Sequence, residues 1–76
     1  MDDPAVVAAI AAGELDGLAA ALDRYAAALY DYCYAMVPAA ATEAVRDTFV
    51  IAWSGMGRLR DPVKLYPWLQ AVADNE

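Results

Sequence analysis

The chain has 76 residues, five cations against eleven carboxylates, no histidine and a formal net charge of −6. That balance excludes a free-standing nucleic-acid binder, because Lys and Arg neutralising phosphates supply most non-specific affinity. The length allows one small domain burying roughly 60% of the surface its unfolded chain exposes, and the 62% hydrophobic content is swollen by 19 alanines, which favour helix but add little core.

A lone cysteine, Cys33, without any histidine leaves no internal disulfide, no metal site and no Cys-His nucleophile pair. The N-terminus "MDDPAVV" is acidic where a secretory signal is basic, and the apolar run from Ala5 to Ala12 is far too short to span a bilayer. The expectation is a soluble cytoplasmic protein with no membrane insertion, no cofactor and no bound metal. There is no P-loop, no Gly-rich dinucleotide turn and no evident carboxylate pair in a pocket, so the chain does not read as an enzyme.

Asp3-Pro4 marks a helix start, an aspartate that caps orphan amides followed by a proline suited to the first helical position. Gly13 stops that helix, predicted over about Pro4 to Ala12 with Val6, Val7 and Ile10 as its apolar positions. From about Asp16 to Val37, Leu18, Leu22, Tyr25, Leu29, Tyr32, Cys33 and Met36 recur at spacings of three and four, one face of the longest helix. Tyr30 and Tyr34 lie off that stripe and are read as packing against neighbouring helices.

Pro38 ends the second helix and opens the next. The third, about Ala39 to Met56, carries Val45, Thr48, Phe49, Ala52, Trp53 and Met56 on one face and Glu43, Arg46, Asp47 and Val50 on the opposite one. Gly55 and Gly57 mark its end. Asp61-Pro62 repeats the capping pattern, and Pro67, lacking an amide, predicts a turn near Pro62 to Leu65 and a regular fourth helix only from about Pro67. Nothing after Asn75 signals a stop, so residues 1–76 read as one domain at the start of a longer chain. The fold class is all-α, a small compact bundle of about four helices.

The segment "GMGRLRDPVKLYPW" gathers Arg58, Arg60 and Lys64, three of the five cations, beside two glycines, two prolines, Tyr66 and Trp68. From the residues alone this segment reads as a solvated loop whose charges cap helices.

"EAVRDTFVIAW" followed by "GRLRDPVKLYPWLQAVADNE" resembles region 2 of bacterial extracytoplasmic-function sigma factors, within the sigma-70 family. Ala41, Glu43, Val45, Asp47, Phe49, Ala52 and Trp53 match the first part of the family pattern, and Trp68, Leu69, Val72, Ala73 and Asn75 the second. Asp23 and Tyr25 resemble the D-x-Y pair of its opening helix. Thr42, Arg46, Ile51 and Asp74 depart from the pattern.

The resemblance implies a transcription initiation domain whose third helix, through Glu43, Arg46, Asp47 and Val50, docks on the beta-prime coiled coil of RNA polymerase core. Arg58, Arg60, Lys64, Tyr66, Trp68 and Asn75 would contact promoter DNA, mainly the non-template single strand of the minus-ten element. An anti-sigma factor or self-association is the further partner it suggests. The other expectation is a diverged domain that keeps the fold and a protein-binding face without promoter recognition. Val7, Val50 and Ile51, beside their core stripes, are the apolar residues such a contact would use.

Overall fold

The computed structural model describes residues 1–75, and these are all-helical: α1 (Asp3–Ala11), α2 (Leu15–Met36), α3 (Ala41–Gly55) and α4 (Leu65–Asp74). Short 3-10 turns, Pro38–Ala40, Met56–Arg58 and Pro62–Lys64, join the later helices. The reading of a chain continuing past Glu76 falls outside the described residues.

The first helix starts one residue earlier than the sequence predicts. Asp2 is the cap, its Oδ1 accepting a 2.9 Å hydrogen bond from the Ala5 amide, and Asp3 is the first helical residue. Proline loses nothing at the second position, since the first four amides of a helix have no intrahelical partner. The shift frees the Asp3 carboxylate, which accepts from the Arg24 guanidinium and from the Tyr25 hydroxyl on α2. The same guanidinium also donates to the Met1 carbonyl, so α1 is clasped to the middle of α2. This contact raises the Arg24 pKa further above its ordinary range, chiefly through the Asp3 hydrogen bond.

α1 ends in a Schellman turn. Gly13 has φ 77°, its amide donates to the Ile10 carbonyl at 3.0 Å, and the Glu14 amide reaches back to Ala9 at 2.9 Å. The chain then reverses, and α2 packs on α1 at Gly17. A Cβ there would lie 2.6 Å from the Ala9 Cβ and 2.9 Å from the Ile10 amide nitrogen. Only glycine lets the two backbones come this close.

The core is assembled from all four helices: Val6 and Ile10, Leu29 and Cys33, Phe49 and Ala52, Leu65 and Leu69, with Met56 from the turn after α3. Thr48 is fully buried, and its hydroxyl is satisfied by the Ala44 carbonyl at 2.7 Å. Two expected core residues of α2 are instead exposed, Leu22 at 39% and Met36 at 46%. The reason is the crossing of α2 over its neighbours: Gly17 and Ala21 face inward near its start, Leu29 and Cys33 near its end, so a single straight stripe misplaces the flanks. Tyr30 and Tyr34, expected to pack against neighbouring helices, are instead exposed, with ring centroids 6.0 Å apart along α2.

Pro67 does not delay α4. The helix begins at Leu65, so proline occupies its first turn, where the missing amide costs no hydrogen bond. Leu65 is thereby helical and fully buried. Asp61 supplies the expected cap, accepting from the Val63 amide at 3.3 Å.

Candidate functional site

The segment between α3 and α4 is held at both ends and in the middle. Met56 and Leu65 are buried, Leu59 is half-buried against the core, and the turns Met56–Arg58 and Pro62–Lys64 both rest on α1. Backbone so anchored presents its polar residues outward. Arg58, Arg60 and Lys64 are all exposed, and among the described residues none of them forms an ion pair; the ion pairs are Arg24 with Asp3 and Arg46 with Asp47.

A groove of about 410 Å³ runs beside this segment, lined by Leu59, Arg60, Asp61, Lys64, Pro67 and Trp68. It brings together three of the six residues read from the sequence as nucleic-acid contacts: two cations and the half-buried ring of Trp68. Trp68 is oriented by its neighbours in the helix, since Leu65 and Leu69 are both fully buried and fix that face of α4 inward.

The other three lie apart from it. Arg58 is exposed at the end of its 3-10 turn and does not line the groove. Tyr66 is half-buried, its ring stacked on Tyr25 with centroids 5.0 Å apart and planes at 21°. Asn75 caps α4, its side-chain amide donating to the Ala71 carbonyl at 3.0 Å. The Tyr25–Tyr66 stack is a contact that the stripe pattern did not reveal: Tyr25 joins α1 through its hydroxyl and α4 through its ring. Burial, and secondly the Asp3 hydrogen bond, raise the pKa of the Tyr25 phenol.

The four residues read as a docking face straddle the ridge of α3 and look onto two different grooves. Glu43 and Asp47, one turn apart, line a small groove of about 270 Å³ together with Met36, Val37, Ala44, Ala73 and Asp74. Arg46 and Val50 border the opposite groove, about 490 Å³, formed with Leu18, Leu22, Val45, Phe49 and Trp53. Arg46 lies 3.7 Å from Asp47 at the ridge, a loose and exposed pair. Of the three apolar residues expected beside the core stripes, Val50 is 62% exposed, Ile51 is half-buried and Val7 is buried in the core.

Asp74 is engaged by the fold. The Tyr32 hydroxyl donates to its Oδ1 at 2.8 Å, fastening the end of α4 to α2. Among the described residues no helix is long and apolar enough to cross a membrane, and no group of three or more His, Cys, Asp or Glu could hold a metal ion. Comparison with protein-family models, curated proteins and solved structures finds no match to this chain.

Proposed function

We propose that this chain is a transcription initiation domain of the sigma region 2 kind, which docks on RNA polymerase through α3 and engages the opened minus-ten strand with the segment from Arg58 to Trp68. The observation that supports it best is how the five cations are spent. Arg24 is tied to Asp3 and Arg46 leans on Asp47, while among the described residues Arg58, Arg60 and Lys64 form no ion pair and are exposed, Arg60 and Lys64 lining one groove with Trp68.

In this reading the cations meet backbone phosphates and the Trp68 ring carries an unstacked base. The Glu43–Asp47 flank of α3 meets arginines of the beta-prime coiled coil, charge pairs that set register and encounter rate. Polymerase then supplies the positive surface that a chain of charge −6 lacks. Tyr66 and Asn75 act through the fold, as a stacking partner of Tyr25 and as the end of α4.

The test is binding of a fluorescent non-template minus-ten oligonucleotide by core polymerase together with this chain. Arg60→Ala with Lys64→Ala should weaken binding at least tenfold and lower the salt slope by about 1.4, at about 0.7 per single-strand phosphate contact. Unchanged affinity and slope would overturn the assignment.

A second reading, a diverged protein-interaction domain without promoter recognition, is favoured by Asp74. Its exposed carboxylate stands at the end of α4, where a phosphate backbone following that helix would meet like charge.

A further inference from the structure

The groove between α2 and α3, about 490 Å³, has the size of a small-molecule site, roughly 300–1,000 Å³. Its lining divides into two parts. Leu18 and Leu22 of α2, with Val45, Phe49, Val50 and Trp53 of α3, form an apolar trough. Phe49 is buried and Trp53 half-buried, so the fold holds both rings in place. Thr42 and Arg46, one turn apart on α3, supply the polar groups. The short turn Pro38–Ala40 joins α2 and α3 into an antiparallel pair. The leucines from the start of α2 therefore stand toward Phe49 and Trp53, and the polar pair stands at the other end.

Among the described residues lining this groove, Arg46 is the one that carries charge. Its Nε lies 3.7 Å from Asp47, beyond hydrogen-bond range, and its side chain is 70% exposed. The guanidinium donors are thus not committed to Asp47, and their fork geometry matches a carboxylate. The carboxylates of the chain line none of this groove, and at physiological salt their repulsion is screened beyond about 8 Å. Polar groups gathered at one end suit a ligand with one head and a long apolar body, whereas a docked helix is matched along its length. Thr42 and Trp53 are about 16 Å apart along the axis of α3, the length of an extended chain of about twelve carbons.

We propose that the α2–α3 groove binds a free long-chain carboxylate, its head on Arg46 and Thr42 and its chain along Leu22, Phe49, Val50 and Trp53. The proposal goes beyond the polymerase and promoter reading, in which the Glu43–Asp47 flank and the segment around Trp68 line other grooves.

The test is calorimetric titration of dodecanoate, below its micelle concentration, into the 76-residue chain at pH 7 and physiological salt. One dodecanoate should bind per chain. Octanoate, with four fewer methylenes in the trough, should bind at least tenfold more weakly, and so should dodecyltrimethylammonium, which has the chain without the anionic head. Arg46→Gln and Val50→Asp should each weaken dodecanoate at least tenfold; both side chains are exposed, so an unchanged urea midpoint is expected of each variant. The proposal is overturned by absence of saturable binding, by equal binding of the cationic amphiphile, or by wild-type affinity in either variant. It is equally overturned if the chain sediments with anionic phospholipid vesicles and ignores free dodecanoate, or if it forms a dimer that Val50→Asp dissociates and dodecanoate does not.

Discussion

The Tyr32 hydroxyl donates a 2.8 Å hydrogen bond to Asp74 across 42 positions of sequence. The Asp74 carboxylate is a fastening between α2 and α4. The bond raises the pKa of the Tyr32 phenol, with partial burial as the second cause. Burial likewise raises the Tyr25 phenol and the Cys33 thiol.

These three shifts have one sign, and they set an alkaline limit to stability. Each group holds its proton more tightly folded than unfolded, so its contribution is complete below the unfolded value and is lost as pH rises through the folded one. The unfolded values are 9.0 for the thiol and 10.0 for the phenols. Urea midpoints should therefore be insensitive to these groups at pH 7 to 8 and fall from about pH 9 upward. Tyr25→Phe should flatten that fall; an identical profile in the variant would remove Tyr25 from the account.

Gly17→Ala should destabilise despite the better helix propensity of alanine, worth about 1 kcal/mol. Its new Cβ would lie 2.6 Å from the Ala9 Cβ and 2.9 Å from backbone, and overpacking of this kind costs about 1–3 kcal/mol. Denaturant unfolding measures the balance, and a stability equal to or above wild type would show that α1 can move away freely.

Tyr66 and Trp68 should separate. Tyr66→Leu breaks the stack on Tyr25 and should cost stability by about 1 kcal/mol, with little effect on strand binding once folded. Trp68→Leu should retain most of the fold and weaken strand binding by about 1–3 kcal/mol, the worth of one stacked base. Thermal melts paired with oligonucleotide titration distinguish the two, and a reversed pattern would move the stacking role to Tyr66.

Most of the architecture was legible because helix punctuation is local chemistry. Gly13, Pro38 and Asp61-Pro62 mark boundaries that the structure keeps within a residue or two. Pro67 misled because its cost depends on its place in the turn, which the sequence alone does not give. Leu22 and Met36 misled because a helix that crosses its neighbours changes its buried face along its length. Of the candidate site, the clustering of Arg60, Lys64 and Trp68 could be read from proximity in sequence. The division of the α3 residues between two grooves, and the Tyr25–Tyr66 stack, depend on which helices become neighbours. A D-x-Y spacing carries no sign that its tyrosine meets one 41 positions later.

The claim that the chain docks on polymerase is tested most directly by titrating it with an isolated beta-prime coiled coil at physiological salt, alongside Asp47→Lys. The account predicts saturable binding that the charge reversal weakens at least tenfold while circular dichroism and the urea midpoint stay those of the native fold. A well-folded chain that does not bind, or an Asp47→Lys variant that binds as tightly as wild type, would contradict it.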